Sequence, residues 1–159
     1  MKTIITTLLL LISTLQMFAQ NKPNYPEAKK GYKRVDLILP KIKNSKDFKI
    51  EIQFSFDANV IECSNASFYF NPKTNLKEEY GIPNFERFPY YVIENDNVEI
   101  MEGRDSNCKS DKKVTRKIFS TIDYFIEYQG YYARPFYIPE SWSVEYRVWK
   151  ASDKYITIK

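Results

Sequence analysis

The chain has no histidine, and that absence removes several chemistries at once. Without imidazole there is no Ser-His-Asp or Cys-His pair, no His-ligated zinc, and no side chain whose unperturbed pKa lies near neutrality. Glycine is scarce, at 4 of 159 residues, and forms no glycine-rich phosphate loop. Charge of one sign is also lacking. The 24 basic and 20 acidic residues leave a net +4, too mild to imply a nucleic-acid partner. Lys109, Lys112, Lys113, Arg116 and Lys117 do cluster, but Val114 and Thr115 interleave them with no stacking motif, as on a solvated strand face. The acids from Glu94 to Asp105 match no calcium-loop spacing. No segment keeps a helical period. These absences argue against an enzyme, a cofactor and a metal centre.

One apolar run is present, from Ile4 to Ile12. It is too short to span a bilayer, which takes roughly 20 apolar residues. With Lys2 before it and Met17-Phe18-Ala19-Gln20 after it, it has the form of a signal peptide over residues 1–20. Residues 21–159 are then one exported domain, with no membrane association after cleavage. Export makes a disulfide the default state of Cys63 and Cys108, the only two cysteines. Closing a loop of that length stabilises a fold by about 3–4 kcal/mol in the chain-entropy model.

The remaining pattern is β. Phe48-Lys49-Ile50-Glu51-Ile52-Gln53-Phe54-Ser55-Phe56 alternates apolar and polar residues, as a half-buried antiparallel strand does. Shorter patterns occur at Arg34 to Leu39, Ser67 to Phe70, Pro89 to Ile93, Val114 to Phe119, Tyr124 to Tyr128, Arg134 to Ile138 and Trp142 to Trp149. Pro, Asn, Asp or Gly separates most of them. The spacing predicts an all-β, single-domain antiparallel barrel or sandwich of about seven to nine strands. Tyr128, Tyr131 and Tyr132 flank the turn signal Gln129-Gly130, which suggests a tyrosine-bearing contact loop. The last strand carries Val144, Tyr146 and Val148 on one face and ends at Trp149. It is an open edge that needs a cover, and a symmetric partner supplies one.

Five stretches in order carry a resemblance. They are Tyr25-Pro26-x-Ala28-x-Lys30-Gly31-x-Lys33-Arg34, then Cys63, then Tyr90-Tyr91-Val92, then Cys108 with Lys112-Lys113, and Tyr146-Arg147-Val148-Trp149-Lys150-Ala151. Together they resemble the ecotin family of periplasmic serine-protease inhibitors. The resemblance implies a homodimer with an exchanged C-terminal strand and an interface around Tyr146, Val148 and Trp149. It also implies a substrate-like reactive loop, about residues 98–107, braced by a Cys63–Cys108 disulfide and offered to proteases of the trypsin/chymotrypsin fold. Within the loop, Ile100, Met101, Glu102, Gly103, Arg104 and Asp105 are the candidate contacts. The local Val98-x-x-Met101 match ranks Met101 first for the specificity pocket, ahead of Arg104 and Asp105.

The sequence departs from the family in three ways. Seven residues, rather than three, lead from the methionine to the cysteine. The arginine that follows the first cysteine in the family and braces the loop has no counterpart in Ser64-Asn65-Ala66-Ser67, whose sequon is incidental in a bacterial periplasm. The family's secondary protease contact maps onto Glu86, Arg87 and Phe88 and onto Tyr128, Gln129, Tyr131 and Tyr132, with different residue types. These changes also fit a second reading, a secreted binding or envelope protein that keeps the fold without inhibiting.

Overall fold

A computed structural model describes residues 23–82, 88–152 and 154–158. The long alternating segment becomes the central strand. A short 3-10 turn at Ser45–Asp47, entered through Asn44 in the left-handed region, delivers the chain into β2, Phe48–Ile61. Its inward side chains Ile50, Ile52, Phe54 and Val60 are fully buried.

One edge of β2 pairs antiparallel with β10, Trp142–Lys150, along Phe48 to Phe56. The other edge is shared. β8, Tyr124–Glu127, takes Lys49 to Ile52, and β7, Lys113–Ser120, takes Ser55 to Ile61. The sheet continues from β7 to β3, Ser64–Phe68, and ends at β6, Ile100–Arg104. A second sheet has the order β1, Tyr32–Leu37; β9, Arg134–Pro139; β5, Pro89–Ile93; and β4, Leu76–Tyr80. The short helix α1, Pro72–Asn75, precedes β4 and is capped by the Asn71 side chain, which accepts from Lys73 N–H.

The core lies between the sheets and is aromatic. Phe54 meets Phe70 at 4.8 Å and Phe136 of the second sheet at 6.3 Å. Trp142 stacks on Phe56 at 5.3 Å and meets Phe68 at 5.1 Å. Tyr91 stacks on Phe136 at 4.8 Å. Packing of this kind accounts for much of the aromatic content.

Three expectations need correction. The architecture is two open sheets rather than a barrel, and the sheets are mixed, because β3 runs parallel to β7 and β5 parallel to β9. There are ten strands among the described residues, above the expected seven to nine. The additional β4 and β6 are polar edge strands whose Lys, Glu, Gly and Arg residues mask the apolar alternation. One helical turn is present. Beside these, β10 pairs with β2 of the same chain.

Candidate functional site

The segment read as the reactive loop is strand over Ile100–Arg104. β6 pairs antiparallel with β3, with Ile100 opposite Phe68, Met101 opposite Ser67, Glu102 opposite Ala66, Gly103 opposite Asn65 and Arg104 opposite Ser64. Phe68 and Ser64 are buried, and Ala66 packs on the core. Side chains alternate along a strand, so Ile100, Glu102 and Arg104 lie on the face of Phe68, Ala66 and Ser64 while Met101 and Gly103 lie on the opposite, outward face, and all five are exposed. β6 ends the sheet, and its far edge leaves backbone N–H and C=O groups open to an incoming strand.

Each candidate side chain has a distinct environment. Ile100 is 42% exposed and Met101 37%. Arg104 Nη1 lies 2.9 Å from Asp111 Oδ1. Asp105 closes the turn that follows β6, where its Oδ1 accepts from Asn107 N–H at 3.2 Å and Ser106 Oγ–H at 3.1 Å. The Asn107 N–H holds the Asp105 carboxyl below the usual range. The turn ends at Cys108, whose N–H donates to Asp105 O at 2.9 Å. Cys108 is bonded to Cys63, with a Cα–Cα separation of 5.5 Å. Beside the bridge, Glu62 and Lys112 are joined twice: Glu62 N–H donates to Lys112 O at 2.8 Å, and Lys112 Nζ meets Glu62 Oε1 at 2.9 Å.

Contacts that the sequence did not reveal hold the strand in place. Glu102 Oε1 accepts the Ile61 backbone N–H at 2.7 Å and lies 3.3 Å from Ser64 Oγ. Arg116 Nη2 donates to the Ser64 carbonyl and lies 3.3 Å from its hydroxyl. The basic cluster at 109–117 was the only sequence signal for this role, and it read as solvated surface.

The tyrosine loop is partly as expected. Tyr131 is 69% exposed, with Lys41 Nζ 5.9 Å from its ring. Tyr132 packs on Phe88 at 4.8 Å and donates its hydroxyl to Gln129. Tyr128 corrects the expectation, because it is 5% exposed. Its ring faces Phe48 and its hydroxyl donates to Pro40 O at 2.7 Å. It anchors the loop and leaves Phe88, Gln129, Tyr131 and Tyr132 as the accessible group. Glu86 and Arg87 lie outside the described residues.

At the C-terminal strand, Tyr146 opposes Ile52 and Val148 opposes Ile50. Both therefore lie on the core-facing side, yet they remain 49% and 47% exposed. On the other face the nearly buried Glu51 carboxylate accepts from Arg147 Nε at 2.6 Å and from the Trp149 indole N–H. The Arg147 hydrogen bond, helped by Trp149, holds Glu51 below the usual carboxylate range against burial, which pushes it up.

β6 is thus an exposed edge strand followed by a turn that the disulfide ties to the body, and among the described residues no group of three or more His, Cys, Asp or Glu is placed to hold a metal. The sequence model of the Ecotin family matches residues 21–151. The chain belongs to the ecotin family. That membership implies a serine protease inhibitor and not an enzyme. Members of the family are typically periplasmic.

Proposed function

We propose that the protein inhibits serine proteases of the trypsin/chymotrypsin fold by presenting residues 98–107 to the protease cleft, with Met101 in the specificity pocket. The observation that carries this reading is the different engagement of the three candidate side chains. Arg104 is committed to Asp111 and Asp105 to its own turn, whereas Met101 projects outward with no polar partner to lose. The open edge of β6 can pair with the protease backbone, as a bound substrate strand does. The disulfide and the β3 pairing reduce the ordering cost of that contact.

Phe88, Gln129, Tyr131 and Tyr132 supply a secondary contact, so that linkage of two sites raises the affinity. Tyr146 and Val148, uncovered on the core side of their sheet, form the homodimer interface with Trp149, and exchange of β10 between two copies preserves the β2–β10 register. Residues 1–20 are the signal peptide, and residues 21–159 the periplasmic inhibitor domain.

Titration of trypsin, chymotrypsin and elastase with the purified protein, followed by sequencing of any slow cleavage site, tests the reading. Cleavage at Met101-Glu102 is expected. Met101→Asp abolishes inhibition of chymotrypsin-like or elastase-like enzymes, since it places a carboxylate in an apolar slot, and Arg104→Ala has little effect. The opposite pattern moves the scissile bond to Arg104-Asp105. The longer span from Met101 to Cys108 favours one other reading, a binding or envelope protein that keeps the fold. Failure of the wild-type protein to slow any serine protease decides for it.

A further inference from the structure

We infer that Glu102 is a positioning residue that keeps the inhibitor from being consumed, by clamping the chain on the leaving side of the Met101-Glu102 bond to the body of the protein. The inference rests on the reading of Met101 as the specificity residue. Glu102 follows that residue directly, and its side chain, on an exposed strand, reaches the end of β2. Its Oε1 accepts the Ile61 N–H at 2.7 Å, a charge-assisted bond to a backbone donor in the central strand.

The donor side is itself fixed. Ser64 is 4% exposed and has one hydroxyl proton to give. At 2.8 Å the Ile61 carbonyl takes it. The 3.3 Å contact from the same hydroxyl to Glu102 is the weaker alternative. Arg116, reaching across from β7, donates to the Ser64 carbonyl and places its positive charge beside the group. The polarity of the brace is therefore set by an acid in the strand and donors in the body. A brace of this kind needs no arginine after Cys63.

The chemistry explains the value of the clamp. As the protease serine oxygen bonds to the Met101 carbonyl carbon, the C–N bond to Glu102 breaks, and the serine proton, relayed by the enzyme's base, ends on the Glu102 nitrogen. The products are an acyl-enzyme at Met101 and a free amine at Glu102. If the amine stays in place, it attacks the ester, the peptide bond re-forms, and the serine recovers its proton. If it drifts, water attacks the ester and the loop is cut. A side chain on the amine's own residue, held to the body, favours the first outcome, because it keeps the effective concentration of the amine high.

The test uses the mature protein with Glu102→Ala and Glu102→Gln substitutions. Three quantities are read against a protease that the wild type inhibits: the inhibition constant, the rate of cleavage at Met101-Glu102, and the hydrogen-exchange rate of the Ile61 amide. Glu102→Ala is expected to raise net cleavage tenfold or more and to speed Ile61 exchange, with an unchanged midpoint of thermal unfolding. Glu102→Gln, which keeps the acceptor oxygen, restores slow exchange and most of the resistance to cleavage. A cleavage rate in Glu102→Ala equal to the wild type's overturns the proposal, as does an Ile61 amide that exchanges equally fast in both. A wild type that inhibits no serine protease overturns the functional reading instead. Amide exchange then shows separately whether the anchor exists.

Discussion

Gly130 shows how one residue can set the course of a loop. A Cβ at this position would lie 2.4 Å from Pro40 O and 3.2 Å from Lys41 Cα, closer than a carbonyl oxygen permits. The neighbouring Tyr128 hydroxyl already bonds the same Pro40 carbonyl. The loop bearing Tyr131 and Tyr132 is thus pressed against the segment after β1 at two adjacent points. Gly130→Ala is expected to destabilise the fold by about 1–3 kcal/mol through overpacking. Thermal denaturation measures the loss. Displacement of Tyr132 from Phe88 registers as a change in near-ultraviolet circular dichroism. Tyr131→Ala, at an exposed position, leaves stability within about 0.5 kcal/mol of wild type.

At the scale of elements, the contact between β2 and β10 depends on a carboxylate. Glu51 is almost fully buried between Arg147 and Trp149. Its pKa is depressed in the folded protein, so the stability it contributes is complete above the unfolded carboxylate value of about 4.3. That stability is lost as pH falls through the lower folded value. The wild type therefore loses stability below about pH 4, and Glu51→Gln, with no proton to take up, loses less over the same range. Arg147→Ala removes the main partner of that carboxylate and is expected to lower stability at neutral pH. Denaturant melts across a pH series check both outcomes. The Phe48 to Phe56 alternation made β2 legible, since a half-buried strand needs that pattern. Glu51 read as solvent-facing because its cover comes from Arg147 and Trp149, whose register against β2 only the fold supplies. β6 was hidden for a related reason. An edge strand needs few apolar side chains, and its partner β3 lies more than thirty residues earlier in the chain. The terminal cysteines of the tether and the outward methionine were readable as letters, whereas the Ile61 N–H that holds Glu102 is a backbone group with no letter of its own.

For the whole molecule, assembly and folding follow from the same sheet order. A second copy that covers Tyr146 and Val148 gives a dimer of twice the subunit mass, measurable by sedimentation at micromolar concentration. Deletion from Trp149 onward is expected to yield monomers, and a full-length mature chain that sediments as a monomer counts against the shared strand. The parallel pairing of β5 with β9 has a further effect. Tyr91 waits for Phe136, while Tyr32 of β1 waits for Pro139. The four-stranded sheet cannot close until β9 has been made, and β2 lacks its partner on one edge until β10 follows. Contacts this distant in sequence are slow to form. Refolding from denaturant is expected in milliseconds to seconds rather than microseconds, and a fragment ending at residue 130 is expected to show no cooperative melting. During synthesis the nascent chain therefore gains little by collapsing early, since both sheets wait for strands near its end.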